Sequence, residues 1–265
     1  MTFPIVVYSS GGLKGISMLG ILKYWNDKEF HSFDSEIRGT SIGALIALCH
    51  VLKLPNSFIS EFEYFWNTRQ LQPSFFRLST TFSLLSNNSL NTIIDFIIRS
   101  QSLDPNTLTF QQLFDFRPVL LSIYVTHLQS GICMAINKNT KPNGLVKSYI
   151  LASMAIPLLF PPQQLEENDI YVDGAMSKGG FPVPDIPGVL GICVFRKVDN
   201  TERHEPLTFL TFLLLIIRFI TGQKRLTFKN AKIITIPFDI EPRQHTLNFN
   251  ALIDLGYTAC ESFFK

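Results

Sequence analysis

The chain opens on a short apolar run, Ile5–Tyr8, which breaks at Ser9-Ser10-Gly11-Gly12. From Ile16 to Asp27 the apolar positions Met18, Leu19, Leu22 and Trp25 recur at helical spacing. Strand, glycine-rich turn and helix are predicted in that order. The unit then repeats. Phe33–Arg38 leads into Gly39-Thr40-Ser41-Ile42-Gly43, and an apolar helix-like run, Ala44–Leu54, follows. Two such units in succession predict a layered α/β fold with both turns side by side at one edge of the sheet.

Pro55–Pro118 has a different texture. Helix-like runs at Ser60–Trp66, Leu90–Ile98 and Phe110–Phe114 are separated by polar turns, and Phe75, Phe76 and Phe82 add aromatic weight. This predicts a helical insert over or beside the sheet, either a lid or, the commoner role, packed scaffold. Val119–Val125 reads as a buried strand and Ile132–Ile136 as its hairpin partner. A helix is expected over Lys147–Ser153, ending before Pro157. Further strands are expected at Asp169–Val172, within Gly188–Phe195 and at Ile233–Phe238, with a closing amphipathic helix at Phe249–Phe264. Leu207–Ile217 is almost wholly apolar but short of the roughly twenty residues a membrane span needs. It reads as a buried core helix or as one lying shallowly in a lipid surface. With no repeat and no linker, residues 1–265 are expected to form a single three-layer α/β/α domain around a central, mostly parallel sheet.

Composition sharpens this in a few places. Of the 265 residues, 46% are hydrophobic and 17% charged, with 24 Phe; a typical domain is about 25% charged. A large core explains that, and so does a protein that meets lipid. The net charge of +2 comes without a basic block, which argues against nucleic acid as a partner. It is compatible with transient attraction to an anionic membrane surface. Cys49, Cys133, Cys193 and Cys260 are far apart, with no CxxC pair. Each lies in an apolar context, and they read as buried free thiols in a reducing compartment. The N-terminal run is too short and lacks the basic flank of a signal peptide, so a cytoplasmic protein, peripheral on membranes at most, is expected. No acidic cluster suggests a calcium loop, and no metal or cofactor is implied.

The candidate chemistry centres on Ser41, in the pattern Gly-x-Ser-x-Gly. Three fixed positions of this kind arise by chance in about one chain in ten of this length. Alone, the pattern also fits a glycine-bracketed turn with Ser41 as helix N-cap. A nucleophilic serine needs a base and donors for an oxyanion. Asp173 closes an apolar strand just before Gly174. It can act as base if burial raises its pKa, although Asp-Gly is also a common hairpin turn. Gly11-Gly12-Leu13-Lys14-Gly15 offers N–H groups at a helix start and matches neither a P-loop nor a full Gly-x-Gly-x-x-Gly. His204 and His245 could complete a Ser-Asp-His order with Ser41 and Asp173, but both lie in polar, loop-like stretches that suit surface histidines. His31, His50 and His127 have no such placement.

Taken together, these elements resemble the patatin-like phospholipase family. The matching residues are Gly11-Gly12-Leu13-Lys14-Gly15, Gly39–Gly43 and Asp173-Gly174-Ala175, in the family's order and at its wide spacing. Ser153-Met154-Ala155-Ile156-Pro157 is similar to the family's Ser-x-Ala-x-Pro segment, and Val125–Gly131 to its central strand and turn. The likeness covers roughly residues 5–185. It implies calcium-independent, phospholipase A-type hydrolysis of a phospholipid or acylglycerol, without cofactor. Ser41 would be the nucleophile and Asp173 the proton acceptor, with no catalytic histidine. The N–H groups of Gly11, Gly12 and Leu13 would form the oxyanion hole. Gly15, Gly39, Gly43, Gly174 and Ala175 would support the turns, and Lys14 would add positive potential or simply be a surface lysine. The chain departs from the pattern at Ser10 for the first Gly, Lys14 for Arg and His127 for Asp. Gly180-Phe181-Pro182 also replaces Asn-x-Pro. Two other readings remain at this point: a histidine-assisted esterase of α/β-hydrolase type, which the early position of Ser41 disfavours, and an inactive lipid-binding module.

Overall fold

The structure, a computed structural model, describes residues 3–30, 35–68, 74–196, 228–238 and 248–265. Among these residues a single mixed sheet of eight strands is formed. β1 (Ile5–Tyr8), β2 (Glu36–Thr40), β3 (Leu120–His127), β7 (Val189–Arg196) and β8 (Lys232–Phe238) are parallel, in the order β3-β2-β1-β7-β8. Shorter antiparallel strands complete it: β4 (Ile132–Ile136) and β6 (Ile170–Asp173) on β3, and β5 (Gln163–Gln164) on β6. β7 and β8 extend the same sheet beyond β1, so these two strands belong to the architecture that carries both glycine-rich turns.

The sheet has two unlike faces, as the period-two alternation of a strand requires. Val6, Tyr8, Ile37, Ile123, Val125, Leu190, Ile192, Ile234 and Ile236 point into the main hydrophobic core. Helices α1 (Leu19–Asp27), α2 (Ile42–Val51), α7 (Val146–Ser153) and α8 (Phe249–Phe264) pack there. α2 is buried along nearly its whole length, with polar residues only near its C-terminal end. The opposite face of β2 and β3 is polar. Arg38 donates to Glu36 at 2.9 Å, Ser122 donates to Glu36 at 2.7 Å, and Asn137 donates to Ser122 at 3.0 Å. The expectation of a uniformly apolar strand over Val119–Val125 holds for one face only. The chain through 3₁₀ turns Gly174–Met176 and Lys178–Gly180 covers the other.

The helical insert is mostly scaffold. α3 (Ser57–Thr68) and α5 (Asn88–Arg99) supply Phe58, Phe62, Ile93, Ile94, Ile97 and Ile98 to the core, and α6 (Phe110–Phe116) supplies Phe110 and Leu113. α4 (Phe76–Thr81), which the sequence did not reveal, buries no residue. The helix expected from Ile16 starts earlier and tighter, as a 3₁₀ helix over Gly12–Met18 that runs into α1. Leu207–Ile217, His31, His204 and His245 lie outside the described residues. Among the described residues no helix is long and apolar enough to cross a membrane. The cysteines are free; Cys49 and Cys260 are buried as expected, whereas Cys133 and Cys193 are only half-buried.

α8 closes the core through a glycine contact. A Cβ on Gly20 of α1 would overlap the Ile253 carbonyl oxygen, and one on Gly256 of α8 would overlap the Ser17 carbonyl oxygen. The two helices thus meet backbone to backbone. Replacing Gly256 by Ala forces them apart, and overpacking of this kind costs about 1–3 kcal/mol. A thermal melt of Gly256→Ala is expected several degrees below wild type; an unchanged midpoint would contradict this packing.

Candidate active site

β3 sets the site. Thr40 pairs with Tyr124, and the next residue of β3, Val125, pairs with Asp173. β4 occupies the other edge of β3 over Ile123–His127. β2 and β6 therefore follow one another along a single edge, and the last residue of β6 stands beside the turn that leaves β2. Ser41 is the first residue of that turn.

Ser41 has φ 58° and ψ −129°, backbone that a non-glycine residue rarely adopts. Such strain costs about 1–3 kcal/mol and persists only where the surroundings enforce it. Here they do. The Ser41 N–H donates to Ser153 Oγ at 2.8 Å, and its carbonyl accepts from Ala44 N–H at 2.9 Å. Ser153 is fully buried at the end of α7 and donates onward to the Tyr124 carbonyl at 2.7 Å. The motif glycines make close approaches. A Cβ on Gly39 would strike the Gly43 carbonyl, and one on Gly43 the carbonyls of Tyr8 and Ser9. Ser41 sits at the N-cap position of α2, yet its hydroxyl makes no cap hydrogen bond. Strand register sets it beside Asp173 instead, where it acts to lower the carboxyl's pKa.

Asp173 is 1% exposed and Ser41 4%. Burial raises the Asp173 carboxyl to about 7 from 3.8, against the opposing pull of hydrogen bonds from the Ser41 hydroxyl and the Ala175 N–H. The Ala175 bond is 2.8 Å long and closes the Asp-Gly turn as a 3₁₀ turn, not a hairpin. The Asp173 N–H donates to the Ala155 carbonyl at 3.0 Å, and its carbonyl accepts from Thr126 Oγ1 at 3.0 Å. Ser153 and Ala155 belong to one short segment, which thus grips both Ser41 and Asp173. Among the described residues no cation pairs with Asp173.

The first glycine-rich turn packs against this pair. A Cβ on Gly15 would overlap the Ile42 side chain, next to Ser41. Gly12 has φ +53°, a left-handed conformation suited to glycine. Gly12 and Leu13 open the 3₁₀ helix, where the first N–H groups have no acceptor within the helix. Gly11 precedes it as N-cap, Leu13 is exposed and Lys14 is half-buried. Ser10, in place of a glycine, donates its N–H to the Gly180 carbonyl at 2.8 Å. Thr40 Oγ1 donates to the Gly179 carbonyl at 2.6 Å, and Arg38 reaches the Pro182 carbonyl at 3.5 Å. The Gly180-Phe181-Pro182 departure therefore acts through carbonyls that tie the three turns together, and carbonyls do not depend on side-chain identity.

The structure brings together Ser41, Asp173, Gly11–Gly15, Gly39, Gly43, Gly174 and Ala175. It keeps the described histidines elsewhere. His50, at the far end of α2, lies with Nδ1 3.0 Å from the Tyr8 hydroxyl. His127 lies with Nδ1 2.8 Å from Ser130 Oγ and Nε2 3.3 Å from Asp169. Among the described residues no group of three His, Cys, Asp or Glu is placed to hold a metal ion. Sequence reasoning missed the roles of Ser153, Ala155 and Thr40. A serine inside the apolar α7 was the available signal, since a buried hydroxyl needs partners.

A family model described as "Patatin-like phospholipase" matches residues 6–185. The chain belongs to the patatin-like phospholipase family. Members of this family are lipid acyl hydrolases, and the patatin-like segment covers all three turns and the Ser153–Pro157 stretch. No curated protein matches the sequence. Among solved structures, VipD from Legionella pneumophila aligns with 99% of this chain and 67% of its own, at 15% identity and a TM-score of 0.57. That likeness supports the patatin-like fold. ExoU of Pseudomonas aeruginosa, in its complex with SpcU, aligns with 99% of this chain and 52% of its own, at 11% identity and a TM-score of 0.49.

Ser153→Ala leaves the Ser41 N–H buried without a partner, at about 1–3 kcal/mol. Reaction of Ser41 with a fluorophosphonate is expected to slow by at least about tenfold, because the turn loses the bond that holds its geometry. Labelling at the wild-type rate would show that Ser153 plays no part in shaping the turn.

Proposed function

We propose that this chain is a calcium-independent lipid acyl hydrolase working through a Ser41–Asp173 dyad. The observation that carries the reading is a buried carboxyl, its pKa about 7, that strand register sets beside Ser41 and that the Ser41 hydroxyl acts on by drawing its pKa down. A base of that pKa takes up and returns a proton near neutral pH, where general catalysis is most effective. Ser41 Oγ attacks the ester carbonyl carbon while Asp173 accepts its proton. The N–H groups of Gly11, Gly12 and Leu13 stabilise the oxyanion. The ester C–O bond then breaks, and the departing alcohol takes the proton from Asp173. Water, deprotonated by the same carboxylate, attacks the acyl-serine; the fatty acid leaves and the proton returns to Ser41. The exposed apolar Leu13 beside the donors suits a phospholipid or acylglycerol chain, and phospholipase A-type cleavage is the family expectation.

Four measurements test this. Ser41→Ala is expected to abolish fluorophosphonate labelling and to lower turnover by at least about a thousandfold. Asp173→Asn lowers turnover by at least about a hundredfold, whereas unchanged turnover would remove Asp173 as the base. If wild type neither labels nor releases fatty acid from a mixed lipid panel containing a chelator, the inactive-module reading replaces this one. For wild type, kcat/KM on a dissolved ester is expected to fall tenfold per pH unit below about 7, as Asp173 takes up its proton.

Stability should run the opposite way. A carboxyl raised from 3.8 to about 7 binds its proton more tightly in the folded state. The stability it contributes is full below its unfolded pKa and is lost as pH rises through about 7. Asp173→Asn, uncharged throughout, is therefore expected to be more stable than wild type above neutrality, by up to about 4 kcal/mol. That advantage should vanish in acid. Denaturant unfolding of both proteins at two pH values measures it.

A further inference from the structure

We infer that α4 and the stretch around Leu158 form the surface by which the protein enters a lipid interface, an inference that rests on the lipid-hydrolase reading above. Phe76 is 77% exposed, Phe82 66% and Leu158 45%. They are held together by the backbone. Ser83 bridges Leu158, and the N–H groups of Leu84 and Leu85 donate to the carbonyls of Leu158 and Leu159, both at 2.8 Å. Beneath them Leu84 and Leu159 pack with Leu78 and Ile156 in a small cluster of their own, separate from the main core. Phe82 and Leu158 both have left-handed backbone, φ 54° and 66°. For side chains of this size that is strained, and here it accompanies exposure of apolar groups to water.

The hydroxyl groups of α4 are already satisfied internally. Ser79 Oγ donates to the Phe76 carbonyl at 2.8 Å and Thr81 Oγ1 to the Arg77 carbonyl at 3.0 Å. Thr81 and Ser83 share a hydrogen bond of 2.9 Å, and Ser83 donates to the Leu85 carbonyl at 3.0 Å. A segment that leaves water needs its hydroxyls and carbonyls paired in this way. Charge points to the same occupant. From Ser74 to Ile94 the sole charged residue is Arg77, and from Ser148 to Leu165 there is none. A protein partner would normally meet a polar rim; two phenyl rings beside one cation suit an anionic bilayer. The patch also connects to the chemistry. Leu158 follows directly on the segment whose Ser153 and Ala155 hold Ser41 and Asp173. Because both of those residues are buried, an ester must be delivered to them from an adjoining surface.

The test compares Phe76→Ser/Phe82→Ser with wild type on two substrates and in one binding assay. Sedimentation with vesicles of phosphatidylcholine and phosphatidylserine, in a Ser41→Ala background, is expected to show at least about tenfold weaker binding for the double variant. Release of fatty acid from the same vesicles by the catalytically intact double variant falls in step. Turnover of dissolved p-nitrophenyl butyrate, which needs no interface, stays within about twofold of wild type. Phe76→Trp provides a second readout, a blue shift of its emission when vesicles are added. Vesicle binding that is unchanged in the double variant, or no shift for Phe76→Trp, would overturn the inference. Weakened vesicle binding in a protein that hydrolyses neither substrate would leave the surface standing and remove the hydrolase reading instead.

Discussion

One strand edge holds the site together. β2 ends and β6 ends on neighbouring residues of β3, so hydrogen-bond register places Ser41 against Asp173 before any side chain is considered. Strand register is a stiff constraint, because a one-residue slip would turn every side chain to the other face. The slip would also carry Asp173 away from Ser41 and Val125 out of the core. Core packing and active-site geometry are therefore enforced by the same pairing.

Around that pairing the three turns brace one another. Gly43 lies on the carbonyls of the first turn, Gly15 on the residue after Ser41, and Gly174 on the Tyr124 carbonyl that Ser153 also contacts. Strain at Ser41 is sustained because each neighbour is itself fixed. The arrangement creates an opposition between function and stability at Asp173. Burial, with no cation paired to it among the described residues, raises the carboxyl's pKa into the range the proposed base needs, and it also makes the ionised form unfavourable in the folded state.

Much of this was legible in the sequence. The alternation of short apolar runs, glycine turns and helical stripes revealed the order of strands and helices. The three turns could be linked through their resemblance, in order and spacing, to the motifs of one family. Less was legible where the reason lay in a distant neighbour. Ser122, Tyr124 and Thr126 alternate with the apolar residues of β3; the strand is buried as expected, but what read as apolar carries a polar face whose partners, Glu36 and Asn137, are remote in sequence. The close crossing of Gly20 and Gly256 leaves no periodic mark. Ser153 looked like part of a motif, and only its bonds to Ser41 and Tyr124 reveal what the hydroxyl does. Phe76 and Phe82 show another limit: the sequence marked them only as aromatic weight in the insert, and nothing in it foretold that they are exposed.

The edge of β3 also bears on how such a protein can diversify. Ser41 and Asp173 are far apart along the chain, but their separation in space is read from two adjacent residues of one strand. The chain between α2 and β3 can lengthen, shorten or be replaced without altering that separation, provided the core positions it fills remain filled. Surface character, substrate access and attachment can thus drift within the insert while the chemistry stays in register. Ancestral change in such a molecule is free in its periphery and nearly forbidden along a single ladder of hydrogen bonds.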